Sequence, residues 1–154
     1  MKGLPDHTDF VVIGAGVAAL RAAIELADAG HVLLLTKKEI PQLSSSDPKT
    51  EAWWLSDEDD VILHLQDTLD AGAGLCNPSA VKILIEEGAE RINELLQWNK
   101  HGAAKLSFEV ENPHTRSRRL HAEGEATTKE VLRLLWHRVE SLKTIALAPS
   151  TFVT

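Results

Sequence analysis

The sequence predicts an α/β fold that opens with a parallel strand-helix-strand unit. Two short segments rich in aliphatic residues, 9–13 and 31–36, have the composition of buried strands. Between them, apolar residues recur at the spacing of a helix. Because a crossover helix leaves the two strands pointing the same way, we expect them to pair in parallel.

The helix of this unit is predicted from Val17 to Ala29 and should stop at Gly30, since glycine is favoured just beyond a helix. Its inward face would carry Leu20, Ile24 and Ala27. Residues 37–55 are polar and contain two prolines and three consecutive serines. Their apolar residues follow neither the period of a helix nor that of a strand. We therefore expect an irregular loop there.

Two helices are predicted after this loop. Ser56 and four following acidic residues form a favourable helix start, and the apolar pattern continues to about Ala71. Asn77 with a proline after it predicts a second start, and this helix should reach Trp98. A glycine at position 88 is expected to bend or divide it.

The remaining segments predict a β-hairpin, a helix and a strand. Apolar and polar residues alternate over 105–110, and the Asn112-Pro113 dipeptide then turns the chain. Thr127 can cap a last helix, and 144–153 is predicted as a final strand. We expect one incomplete domain over 1–154, made of the unit 1–36, the loop 37–55, and the helices and hairpin of 56–154.

Composition limits the function classes. The chain has 154 residues, of which 44% are apolar, so it can bury one ordinary core. Its 23 acidic residues outnumber 16 basic ones, which disfavours binding to nucleic acid. A single cysteine, Cys76, excludes an internal disulfide. The longest apolar run, 10–20, is too short to span a bilayer, and acidic residues before it do not suit a secretory signal, so we expect a cytoplasmic protein without a membrane segment.

The turn between the first strand and the first helix carries a dinucleotide fingerprint. Gly14, Gly16 and Ala19 fill the pattern G-x-G-x-x-G/A. Gly14 permits the tight turn, Gly16 lets backbone amides approach a diphosphate, and the small Ala19 lets the helix pack on the strand. Helix amides beyond the turn can hold the anion. The alternative is a glycine-rich turn in an unrelated α/β protein.

The residues at the end of the second strand indicate which dinucleotide the unit binds. NAD-binding units place an acidic residue there for the ribose hydroxyls, whereas this sequence has Thr36, Lys37 and Lys38. A basic tip would suit NADP. A unit that opens within nine residues of Met1 and is followed by a serine-rich loop fits a flavoprotein at least as well. We therefore expect FAD as the cofactor.

Several segments together resemble the L-aspartate oxidase branch of the fumarate reductase and succinate dehydrogenase flavoprotein family. They follow one another in the family's order and extend over nearly the whole chain. The segments are Asp9 to Leu20, Leu35 to Lys38, Ser44 to Ser46, Leu55 to Asp60, Gln66 to Cys76, His114 to Arg118, His121 to Thr127 and Thr151 to Thr154.

The resemblance implies FAD-dependent oxidation of L-aspartate to iminoaspartate, with oxygen or fumarate as the electron acceptor. This reaction would supply the bacterial route to quinolinate and NAD, which implies coupling to quinolinate synthase. The chain would cover about the first third of such a protein. We expect it to lack the substrate-capping domain and the catalytic arginine and histidines, and to be inactive as an isolated piece.

The resemblance also implies roles for individual residues. Ala15, Val17 and Ala18, with the fingerprint residues, would line the diphosphate. Lys37 would meet the adenosine side, and Ser44, Ser45 and Ser46 would begin the loop that contacts phosphates and flavin. Glu111 would orient the substrate's ammonium group, although by itself it is a charged residue beside a turn. No metal site is predicted, because His114 and His121 have no cysteine or carboxylate partners at ligand spacing.

One interval departs from the family pattern. After the serines the family continues with glycines that lie against the flavin ring, whereas this chain has Glu51, Ala52, Trp53 and Trp54. Bulky side chains cannot occupy the space that missing Cβ atoms leave to a ligand. A local reading-frame slip would explain the interval, and the gene's nucleotide sequence tests it. The alternatives are a non-catalytic nucleotide-binding module, or a piece of a fumarate reductase flavoprotein, which the lack of a histidine for covalent FAD attachment in 44–55 disfavours.

Overall fold

The computed structural model describes residues 5–37, 61–99, 106–110, 117–122 and 127–153. In chain order the elements are β1 (Phe10–Ile13), α1 (Val17–Leu26), β2 (Val32–Leu35), α2 (Val61–Ala71), α3 (Pro78–Trp98), β3 (Leu106–Val110), β4 (Ser117–Ala122), α4 (Thr127–Ser141) and β5 (Ile145–Ala148). The chain forms two compact units, 1–47 with 131–154, and 48–130.

The first unit is built on a parallel sheet. Its described strands have the order β1-β2-β5, with Phe10 opposite Val32 and Val32 opposite Ile145. Both pairings are parallel, because helices connect the strands and return the chain to the same end of the sheet. The predicted α/β fold, with an opening Rossmann-like unit, is confirmed.

The core of this unit lies on the apolar face of α1 and on the central strand β2. Leu20, Ala23 and Leu34 are fully buried, and Val32 is nearly so. Helix α1 contacts both β1 and β2. Burial of an aliphatic side chain of this size contributes about 1.5–3 kcal/mol relative to leaving it in water. The periodic apolar residues of 17–29 thus fold the helix onto the strands that flank it in the sequence.

Hydrogen bonds between Asp9, Phe10 and His31 join the amino-terminal ends of β1 and β2. Asp9 accepts a hydrogen bond from the amide of His31 at 2.7 Å, and the amides of Asp9 and Phe10 both donate to the carbonyl of His31. These bonds join the residues that enter β1 and β2. The two strands therefore start in register, which brings their carboxyl ends to the same level.

The second unit contains two helices that contact each other and a two-stranded hairpin. Val81 and Ile85 of α3 are buried one turn apart, and Leu95 is buried near the end of the same helix. Strands β3 and β4 pair antiparallel, with Leu106 opposite Ala122 and a register shift between Glu109 and Val110. The predicted hairpin is thus confirmed.

Three predicted features of the helices and strands differ from the structure. Helix α1 ends at Leu26 rather than at Ala29, because residues 27–30 close into tighter turns whose amides donate to carbonyls of the last helical turn. Helix α3 runs without a break through Gly88, because a single glycine costs only about 1 kcal/mol in helix propensity, which the rest of a 21-residue helix can offset. Strand β5 stops at Ala148, where a proline follows and the backbone of Ser150 is left-handed, with φ of 55°.

Candidate functional site

The chain turns sharply between β1 and α1 at two glycines. Gly14 has a φ of +123°, a conformation that side chains rarely adopt, and its amide donates to the carbonyl of Leu35 at 2.9 Å. An added Cβ at Gly14 would lie 3.5 Å from the Cβ of Ala19, so helix and turn are in close contact. The turn is thereby fixed against the end of β2.

Gly16 is the N-cap of α1 and leaves open space beside the helix start. Its backbone is extended, with φ of −77° and ψ of 172°, and an added Cβ would meet nothing within 4 Å. The first helical hydrogen bond runs from the amide of Leu20 to the carbonyl of Gly16 at 3.0 Å. The amides of Val17, Ala18 and Ala19 precede that bond and have no acceptor within the helix.

No side chain caps α1, and its first turn contains no acidic residue. The aligned peptide dipoles place a partial positive charge at this helix start, which favours an anion. Space beside Gly16, N–H donors and positive potential thus coincide. A diphosphate needs these three properties, so the described residues of this turn fit the diphosphate of a dinucleotide.

The tip of β2 lies next to the turn. Thr36 is 2% exposed, so it belongs to the core, whereas Lys37 is exposed. The amide of Thr36 donates to the carbonyl of Ala148 at 3.0 Å, and the amide of Thr151 donates to the carbonyl of Thr36 at 2.9 Å. Backbone bonds therefore hold the segments after β1, β2 and β5 side by side at the carboxyl edge of the sheet.

Phe152 is a residue at this edge to which sequence reasoning assigned no role. The ammonium of Lys37 lies 5.0 Å from the centroid of the Phe152 ring, within the range of a cation-π interaction. The sequence offered one signal, an aromatic residue near the end of the predicted final strand 144–153. Its meaning depends on which strand lies beside β5, and the sequence alone does not specify that.

The other predicted site residues fall outside the described residues. They are Glu111, Ser44, Ser45 and Ser46. Their roles stay predictions, as do the cofactor-binding roles of Gly14 to Ala19 and of Lys37, although the structure brings these last residues to one edge of one sheet.

The described part of the chain shows neither a metal-binding cluster nor a membrane-spanning helix. No group of three or more histidine, cysteine, aspartate or glutamate side chains there could hold a metal ion. No described helix is long and apolar enough to cross a membrane. The cytoplasmic location stays a prediction.

Known proteins resemble this chain over most of its length. The L-aspartate oxidase of rice chloroplasts is 35% identical over 146 residues, which cover 92% of this chain and 22% of the relative. The L-aspartate oxidase of Nostoc sp. is 36% identical over 141 residues, covering 88% of this chain and 24% of the relative. These relatives confirm the resemblance drawn from the sequence segments.

A solved structure shares the fold. The Mycobacterium smegmatis Sdh1 complex in the apo form superposes with a TM-score of 0.78 and 26% identity, over 96% of this chain and 28% of the matched chain. The chain spans between a fifth and a quarter of the length of the two curated relatives, a smaller share than the third expected from the sequence.

The turn geometry and these similarities agree with one family model. The model described as "FAD binding domain" matches residues 9–154, from the residue before β1 to the last residue of the sequence. The match confirms FAD as the family's cofactor, in agreement with the expectation drawn from the early position of the strand-helix-strand unit and the serine-rich loop after it. By this match over almost its whole length, the chain belongs to the FAD binding domain family.

Proposed function

We propose that this chain binds FAD at the start of α1 and is the dinucleotide-binding part of an enzyme that oxidises L-aspartate to iminoaspartate. The observation that carries the proposal is the uncapped helix start beside Gly16. The L-aspartate oxidases among its relatives support the substrate. The reaction would supply the route to quinolinate and NAD in the cytoplasm.

Different residues of the turn would make different contributions to binding the cofactor. The amides of Val17, Ala18 and Ala19 would donate to diphosphate oxygens, while Gly14 and Ala15 carry the chain around the ligand. No side chain at position 16 obstructs the approach. Bound FAD would supply the electron-accepting ring that oxidises the carbon-nitrogen bond of the substrate.

The adenosine and substrate sides are assigned by resemblance. Lys37 would meet the adenosine, and Ser44 to Ser46 would continue the contacts toward the flavin. Glu111 would orient the ammonium group of L-aspartate. Oxygen or fumarate would accept the electrons, and quinolinate synthase would consume the product. We regard 1–154 as one incomplete FAD-binding domain, inactive without further parts of such an enzyme.

The purified chain tests the cofactor proposal directly. We expect flavin absorption bands after incubation with FAD and gel filtration, at about one flavin per chain. A Gly16→Leu variant should lose the bands, because its side chain would enter the space beside the helix start. Gly88→Ala, in the middle of α3, is the matched control and should keep them. A folded but colourless chain would contradict FAD binding.

A second candidate function is a non-catalytic nucleotide-binding module. Trp53 and Trp54, in place of the family's glycines at the flavin ring, favour it. Such a module would hold the ADP half of the cofactor and gain nothing from the flavin half. Comparison of the Kd values for ADP and FAD separates the two functions, since equal values support the module and clearly tighter FAD binding supports the flavoprotein.

A further inference from the structure

The order of the strands sets the direction of a bound dinucleotide. Its diphosphate would lie at the turn after β1, and in such folds the adenosine ribose lies at the tip of the second strand. In this sheet β5 is the neighbour of β2 on the side away from β1. The adenine ring beyond the ribose would therefore reach the segment that follows β5.

That segment is held close to the tip of β2. The left-handed backbone of Ser150, with φ of 55°, turns the chain after β5. The amide of Thr151 then donates to the carbonyl of Thr36 at 2.9 Å. Phe152 follows immediately, and its ring lies beside the side chain of Lys37, the residue after Thr36. The backbone bond thus positions the ring at the tip of β2.

The ring of Phe152 has a surface available for a ligand. The residue is 66% exposed, although the cation of Lys37 lies 5.0 Å from the ring centroid. Aromatic side chains offer a face on which a nucleobase can stack, and a lysine beside the ring adds a donor for the base or for the ribose. Exposure of so large an apolar group to water is unfavourable, and a stacked base would relieve it.

We propose that Phe152 stacks against the adenine ring and that Lys37 is held in place by the same aromatic side chain. The inference rests on the proposed FAD site and adds to it the residue that selects a purine base. Phe152 is a binding residue in this role, and Lys37 acts beside it on the adenosine.

The test uses the 154-residue chain with ADP and UDP, two ligands that share ribose and diphosphate and differ in the base. We expect the unaltered chain to bind ADP more tightly than UDP. Phe152→Leu should reduce this preference at least about fivefold, the lower end of measured base stacking, while Phe152→Trp should keep it. Val153→Ala, at an exposed apolar neighbour, is the control and should leave both Kd values unchanged. Isothermal titration calorimetry measures all of them, and circular dichroism checks the fold.

Each outcome decides between the two proposals. Equal ADP and UDP affinities in the unaltered chain, or a preference that survives Phe152→Leu, would overturn the stacking role and leave the diphosphate site standing. An equal loss of ADP and UDP binding in Phe152→Leu would also overturn it, since the ring would then act on the shared part of the ligand. If the unaltered chain binds neither ligand nor FAD, the proposed function fails, and this inference fails with it.

Discussion

The first amides of α1 and α3 differ in whether they have hydrogen-bond acceptors within the chain. In α3, Pro78 has no N–H, and the side chain of Asn77 accepts from the amides of Ser79 at 3.0 Å and Ala80 at 3.4 Å. The next amide, of Val81, donates to the carbonyl of Asn77 at 3.0 Å. Every amide of that first turn thus has an acceptor within the chain.

In α1 the same positions have no such acceptors. The N-cap is Gly16, which has no side chain, and the first helical bond is made only by Leu20. An asparagine cap stabilises a helix by only about 0.3 kcal/mol relative to a glycine cap, so its absence in α1 is a small loss of stability. The difference shows that the start of α3 is satisfied within the chain, whereas the start of α1 leaves N–H donors that the proposed anion site would use.

The strongest test of this comparison gives α1 the cap that α3 has. Gly16→Asp suits the extended backbone of an N-cap, so we expect the free energy of unfolding to rise by about 0.3 kcal/mol. The new carboxylate would occupy the amides and repel a diphosphate, so the Kd for FAD should rise more than about tenfold. Urea denaturation and calorimetry measure the two effects. Gly16→Asn is the control, because its side chain has a similar size but no charge. Unchanged FAD binding in both variants would refute the anion site.

A substitution in the turn before α1 should act on stability. Gly14→Ala forces a side chain into a φ of +123°, and we expect it to lower the free energy of unfolding by about 1–3 kcal/mol. Chemical denaturation followed by circular dichroism measures the loss. An unaltered denaturation midpoint would show that the turn adopts a different backbone in solution.

The cap of α3 should matter for the fold alone. Asn77→Ala removes both side-chain hydrogen bonds and should lower the free energy of unfolding by about 1 kcal/mol. Asn77→Asp keeps an acceptor and should restore most of the loss. FAD affinity should be the same in all three proteins, and a change in Kd would mean that the helix start of α3 is also part of the ligand site.

The smallest effect is expected in the middle of α3. Gly88→Ala adds a methyl group where nothing lies within 4 Å, so we expect the free energy of unfolding to rise by about 0.5–1 kcal/mol. The same exchange at Gly14 is expected to have the opposite sign. Loss of stability at Gly88 would indicate that the glycine serves close packing.

The sequence predicted the ends of helices best where a residue type itself caps or starts a helix. The Asn77-Pro78 pair predicted the start of α3, and its end at Trp98 followed from the apolar pattern. In α1 the apolar pattern extends to Ala27, yet the regular helix ends at Leu26. Periodicity reports which face is buried, whereas the last helical bond depends on how the following turn closes.

The candidate site divides in the same way. Gly14 to Ala19 could be placed because strand, turn and helix are adjacent in the sequence. Phe152 could not, because its position beside Lys37 depends on β5 pairing with β2. Such long-range pairing is decided by the packing of the whole unit, which no local pattern contains.

The bond between Thr151 and Thr36 has a consequence for the order of assembly during synthesis. Residues 9–36 contain everything that shapes the first turn, and short loops close quickly. The contact between Phe152 and Lys37 requires α4 and β5, which emerge from the ribosome after β1, α1 and β2, and it must close the long loop from residue 37 to residue 152. A nascent chain would thus be able to bind phosphate groups at the turn after β1 before Phe152 is in place to distinguish one base from another.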